Sequence, residues 1–177
     1  MMKVEARLEK AELECLEGLN HLWIHLECVD CSVIVNFRLH LDFPEGICLL
    51  KNLNDFPEDQ SHTVTVPKVD QNLDMVFELF TEKKLPLGRI FLILLFSFQN
   101  HGQFYKDQRQ IPLTIVSEEA SDKIIMDQEV VSLVEKMKKH TKQGYTFETI
   151  PRVIQEAITE LSPLERKYRI DGVCGAV

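Results

Sequence analysis

Glycine and proline are scarce in this 177-residue chain, seven of each, and they are scattered along it. That excludes a collagen-like or low-complexity character and argues against disorder. No apolar run approaches the ~20 residues that a membrane-crossing helix takes, so no membrane span is expected. Residues Met1 to Arg7 carry no apolar segment of the signal-peptide kind, and the expected location is cytoplasmic or nuclear. Basic residues are in deficit, 20 Lys and Arg against 28 Asp and Glu, for a formal charge of −8. Such a balance opposes binding to phosphate backbones or anionic lipid, so a nucleic-acid partner is not expected. Also missing are a Gly-x-Ser-x-Gly elbow, a glycine-rich phosphate loop and a His-Glu-x-x-His pair. The commonest sequence-readable enzyme classes therefore lack support, and no cofactor is expected.

What the chain does contain is a composition of ordinary globular kind, 45% hydrophobic and 27% charged. At this length a single domain, 1–177, would bury roughly 70% of the surface its unfolded chain exposes. Its most informative stretch is Ile90 to Phe98, apolar at every position but Ser97. Its aromatic and β-branched content reads as a central strand hidden on both sides.

Around that run the periodicity assigns the other elements. Val4, Leu8, Ala11, Cys15, Leu16 and Leu19 recur at helical spacing, which predicts an N-terminal helix over 1–19. From His21 the period becomes two. Leu22, Ile24, Leu26 and Cys28 alternate with His21, Trp23, His25 and Glu27, and Val33, Val35, Phe37, Leu39 and Leu41 alternate with Ser32, Ile34, Asn36, Arg38, His40 and Asp42. Two antiparallel strands joined at Val29-Asp30 are the natural reading. Ile47 to Leu50, an edge strand at Thr63 to Val66 ahead of Pro67, Leu73 to Leu79, the Ile90 run, and returning segments Gln103–Tyr105 and Ile111–Val116 complete an antiparallel region over 20–117. A helical pair over 124–162 follows. Asp127 caps the first helix, with Val130, Val131, Val134 and Met137 on its apolar face, and Thr149 caps the second. The tail, 163–177, is expected to be loosely ordered.

The predicted class is thus α+β: an antiparallel sheet or sandwich of about six to eight strands with one N-terminal and two C-terminal helices. Two resemblances bear on it. The order helix, meander, two helices is similar to the RWD and ubiquitin-conjugating superfold, with Gly144-Tyr145-Thr146-Phe147 between the last two helices. The His-Pro-Asn triplet and the Tyr-Pro-x-x-Pro turn of the conjugating enzymes are missing, so a member of that group would act as a docking surface. Ser32 to Val116 resembles an immunoglobulin-type or appendage β-sandwich, through the turns at Leu41 to Ile47 and Pro86 to Ile90.

The candidate sites are few. Cys28-Val29-Asp30-Cys31 has the spacing with which two thiolates clamp a zinc ion, and Cys48, His21, His25 or His40 would have to supply the remaining ligands. Five cysteines in an intracellular chain otherwise read as reduced core residues. His21, His25 and His40 would gather across the two strands. Lys136, Lys138, Lys139, His140 and Lys142 form the basic concentration, which a helix C-terminus accommodates without any ligand. The function expected is a non-enzymatic interaction module, a subunit or terminal domain of a multiprotein complex. Its protein partner would meet Trp23, Ile34, His40, Lys138 and Lys139. The alternatives are a cysteine- or metal-dependent enzyme centred on Cys28, Cys31 and Cys48, and a weak nucleic-acid or phospholipid binder through Lys136 to Lys142.

Overall fold

In the computed structural model, which describes residues 2–28, 34–121 and 124–144, the chain forms two facing β-sheets with one long helix on an outer face. The strands are β1 (Met2–Leu8), β2 (Glu12–Glu14), β3 (Leu19–Cys28), β4 (Ile34–Asp42), β5 (Ile47–Leu49), β6 (Thr63–Val69), β7 (Leu73–Thr81), β8 (Gly88–Asn100) and β9 (Gln103–Val116). A single-turn helix α1 (Glu118–Ser121) and the longer α2 (Gln128–Gly144) follow. The first sheet has the order β1-β3-β7-β5 and the second β2-β9-β8-β4-β6. All pairings are antiparallel except β2 with β9.

This overturns the α+β assignment and its meander alternative, because the strands divide between two packed layers and no helix precedes them. The predicted helix over 1–19 is instead β1 and β2. Met2, Val4, Ala6 and Leu8 also recur at period two, and pairing Val4 with Leu26 and Leu8 with Leu22 turns that face onto the core. Lys3, Glu5 and Arg7 take the other face. The helical spacing in the same residues was coincidental to a half-covered edge strand. The expected hairpin of β3 and β4 is not formed either: β3 pairs with β1 and β7, whereas β4 pairs with β6 and β8 in the other sheet. The two predicted returning segments are one strand, β9. The second helix of the predicted pair and the 163–177 tail lie outside the described residues.

The core lies between the sheets. Leu22, Ile24 and Leu26 of β3 and Met75, Phe77 and Leu79 of β7 face Phe37, Leu39, Leu92, Leu94 and Leu113 across it, all at 1% exposure or less. β8 is the middle strand of its sheet, yet it is not hidden on both sides. Leu92, Leu94, Phe96 and Phe98 point inward, while Phe91 is 42% exposed and Ile93 and Leu95 are half-buried on the outer surface. In β4 the pairing register shifts between Val35 and Arg38, and Asn36 adopts φ 55°, a conformation Asn tolerates better than most residues. The extra residue reverses the side-chain phase. Ile34 therefore joins Phe37 and Leu39 in the core at 1% exposure, and the expected partner-facing Ile34 is corrected to a packing residue.

Candidate docking groove

Of the recesses among the described residues, one lies under α2 and another at the open side of the sandwich. The first begins with Asp127. Its Oδ1 accepts from the main-chain N–H groups of Glu129 at 3.1 Å and Val130 at 3.4 Å, so the predicted N-cap is observed. Its Oδ2 takes Arg7 Nε at 2.9 Å and Nη2 at 2.5 Å, while Arg7 Nη1 reaches Glu129 at 2.6 Å. Burial pushes the Asp127 carboxyl up, but these donors outweigh it and hold the group below its ordinary value. The helix is thereby tied across the outer face of the first sheet. Val130, Val134 and Val76 form a small apolar cluster there with Trp23, Leu53, Leu133 and Met137.

Trp23 is fixed from three sides. Its Nε1 donates to Asp74 Oδ1 at 2.8 Å, His25 Nδ1 donates to the same oxygen at 2.7 Å, and the Arg7 guanidinium lies 5.3 Å from the ring centroid. Glu5, Glu27, Ser132 and Lys136 complete a recess of about 510 Å³. On the other side of α2, His21, 6% exposed, has Nδ1 on Glu9 and Nε2 3.0 Å from Glu78 Oε1. Lys138 Nζ donates to that Glu78 oxygen at 2.5 Å. Burial raises the Glu78 carboxyl, and the hydrogen bonds from Lys138 and His21 more than reverse it, so Glu78 sits below its ordinary value.

These contacts separate the sequence-predicted site residues. Trp23 and Lys138 both bind α2 to the sheet. Lys139 points away and pairs with Glu135 at 3.8 Å. His40 lies on the other sheet, against Thr63, and so does not join His21 and His25. Cys31 lies outside the described residues. Cys48 shares a cross-strand row with Phe80 and Leu19, nine positions along β3 from Cys28, which separates the two thiols by ~30 Å. They cannot hold one ion. Among the described residues no three His, Cys, Asp or Glu side chains are grouped as metal ligands require. Burial, with a hydrogen bond to Glu82, raises the Cys48 thiol above its ordinary value, which keeps it protonated and weakly nucleophilic.

The second recess is a groove of about 570 Å³ where the sheets part between β1 and β9. Met2 and Val4 form one wall. Phe96, Phe98 and Asn100 form its floor, and Tyr105, Lys106, Asp107 and Arg109 the other wall. The Tyr105 and Phe98 rings stack with centroids 5.0 Å apart and planes 11° apart. At its end Asn100 Oδ1 is buried with no hydrogen-bond partner among the described residues. The groove is apolar along its length and polar at its rim and its end. Its residues escaped the sequence reading because the β1 wall was assigned to a helix. The signal that could have found it was the isolated Phe104-Tyr105 pair within a polar stretch.

The chain matches no protein-family model and no curated protein sequence. Among solved structures it is similar to the GAE domain of GGA2p from Saccharomyces cerevisiae, at 13% identity and a TM-score of 0.41, over 65% of this chain and 91% of that one.

Proposed function

We propose that this chain is a non-enzymatic protein-interaction domain, working as a subunit or terminal module of a larger assembly in the cytoplasm or nucleus. Its groove between β1 and β9 receives an extended apolar segment of a protein partner. The observation that carries this reading is Asn100 Oδ1, a buried acceptor without a partner among the described residues, at the end of an apolar channel. A buried polar atom left unpaired costs about 1–3 kcal/mol, so an N–H donor from a bound segment gains what the unbound fold forgoes. Met2, Val4, Phe96, Phe98 and Tyr105 supply apolar contacts on either side of that acceptor. Peptides selected from a random display library against the whole chain test the reading. Tyr105→Ala and Asn100→Leu should each weaken the selected binders about tenfold, equivalent to ~1.4 kcal/mol. Binders indifferent to both substitutions would rule the groove out.

A further inference from the structure

The outer main-chain edge of β9 carries a second interaction surface, adjoining the groove whose wall includes Asp107 and Arg109. His101 and Gly102, at φ 48° and 76°, form a two-residue turn between Asn100 and Gln103, so the hairpin begins with a hydrogen-bonded pair. From there the odd-numbered residues of β9 direct their main-chain groups to β8, and the even-numbered ones direct theirs away. Thr114 N donating to Ala11 O at 3.1 Å confirms the phase. β2 covers β9 only over Thr114 to Val116. No described strand pairs with the outer edge between Gln103 and Leu113, where Phe104, Lys106, Gln108 and Gln110 present both N–H and C=O.

We propose that two copies of this chain pair antiparallel along this edge, about a two-fold axis at Gln108, to make one continuous sheet. Such pairing must set even-numbered residues opposite even-numbered ones, which leaves few registers. Centring on Lys106, Asp107 or Arg109 places like charges opposite each other. Centring on Gln108 sets Asp107 against Arg109 of the second copy, and Arg109 against its Asp107. The same register pairs Gln103 with Leu113 of the second copy, so it fills the whole open span, and the turn of each copy meets the start of β2 in the other. It also sets Phe104, 67% exposed, against Pro112 of the second copy, whose neighbour on β8 is Phe91, 42% exposed. Charge complementarity and length thus select the same register, and the exposed apolar surface fits it.

Sedimentation of the full chain over a dilution series should show a dimer that dissociates at low concentration. Asp107→Arg alone should weaken it at least tenfold, and so should Arg109→Asp. The combined Asp107→Arg/Arg109→Asp chain, with the charges exchanged, should recover it. Gln108→Pro, which removes the N–H at the axis from an exposed edge, should give a monomer with unchanged circular dichroism. A chain monomeric at every concentration, or a dimer unmoved by the single charge changes or not recovered by the exchange, overturns the proposal. Asn100→Leu lies outside the paired span and leaves the dimer intact, so failure of the groove reading and failure of this one are told apart.

Discussion

Removing the side chains by which α2 packs on the sheet should detach the helix before the sandwich unfolds. Val130 is fully buried and Val134 is 5% exposed, both in a cluster separate from the main core. Each Val→Ala change deletes two methyl groups, ~1.6 kcal/mol of transfer free energy at ~0.8 kcal/mol per carbon. Incomplete closure of the cavity brings the loss to about 2 kcal/mol per site. The ionic contacts that remain, Arg7 with Asp127 and Lys138 with Glu78, are partly exposed and contribute only about 1 kcal/mol or less apiece. The double variant Val130→Ala/Val134→Ala should therefore lose most of the docking free energy and little of the sandwich's. Trp23, the single tryptophan, sits under α2 and reports the local event. In a urea titration its emission should change well before the far-UV circular dichroism of the sheets. If both probes move together to lower urea by the same amount, α2 is an integral part of the sandwich and the reasoning fails.

Acid should act on the same junction. Asp127 and Glu78 have folded values below their ordinary ones, so their contribution is complete above about pH 5 and is lost as pH falls through the folded values. The Trp23 transition should thus weaken from about pH 5 downward, and Asp127→Asn should flatten that slope while keeping the cap. Asn20 is fully buried, accepts from Lys10 N at 3.0 Å and His21 N at 2.8 Å, and donates to Lys10 O at 2.8 Å. Asn20→Ala strands those groups and should cost about 2 kcal/mol by chemical denaturation, whereas a loss under a few tenths would show that they find other partners. At the β4 bulge, Asn36→Val should destabilise by about 1–2 kcal/mol because φ is positive there, and Asn36→Gly should not; equal losses would mean that the bulge relaxes.

How much of this was legible varies with what sets each element. β8, β7 and the edge position of β6 follow from apolar content, alternation and Pro67, and the helix beginning at Asp127 follows from its cap. All of these depend on residues within one element. β1 did not, because Val4 and Leu8 satisfy both periods and only their pairing with β3 decides. The β3 to β4 crossing was hidden for a related reason: alternation says that a strand has a dry face, not which sheet that face belongs to. One bulge at Asn36 was enough to move Ile34 from an expected surface to the core. The groove was least visible, since its walls come from the first and the last of the described strands, and its unpaired Asn100 oxygen is a property of the assembled fold.

The most direct test of the docking claim is a methyl and amide resonance titration of the whole chain with a peptide selected against it. Shifts centred on Met2, Val4, Asn100 and Tyr105, with peptide contacts to Val4, are the predicted result. Shifts centred instead on Val130, Leu133 and Trp23 beneath α2, or saturable binding with no change in the groove, would contradict the account.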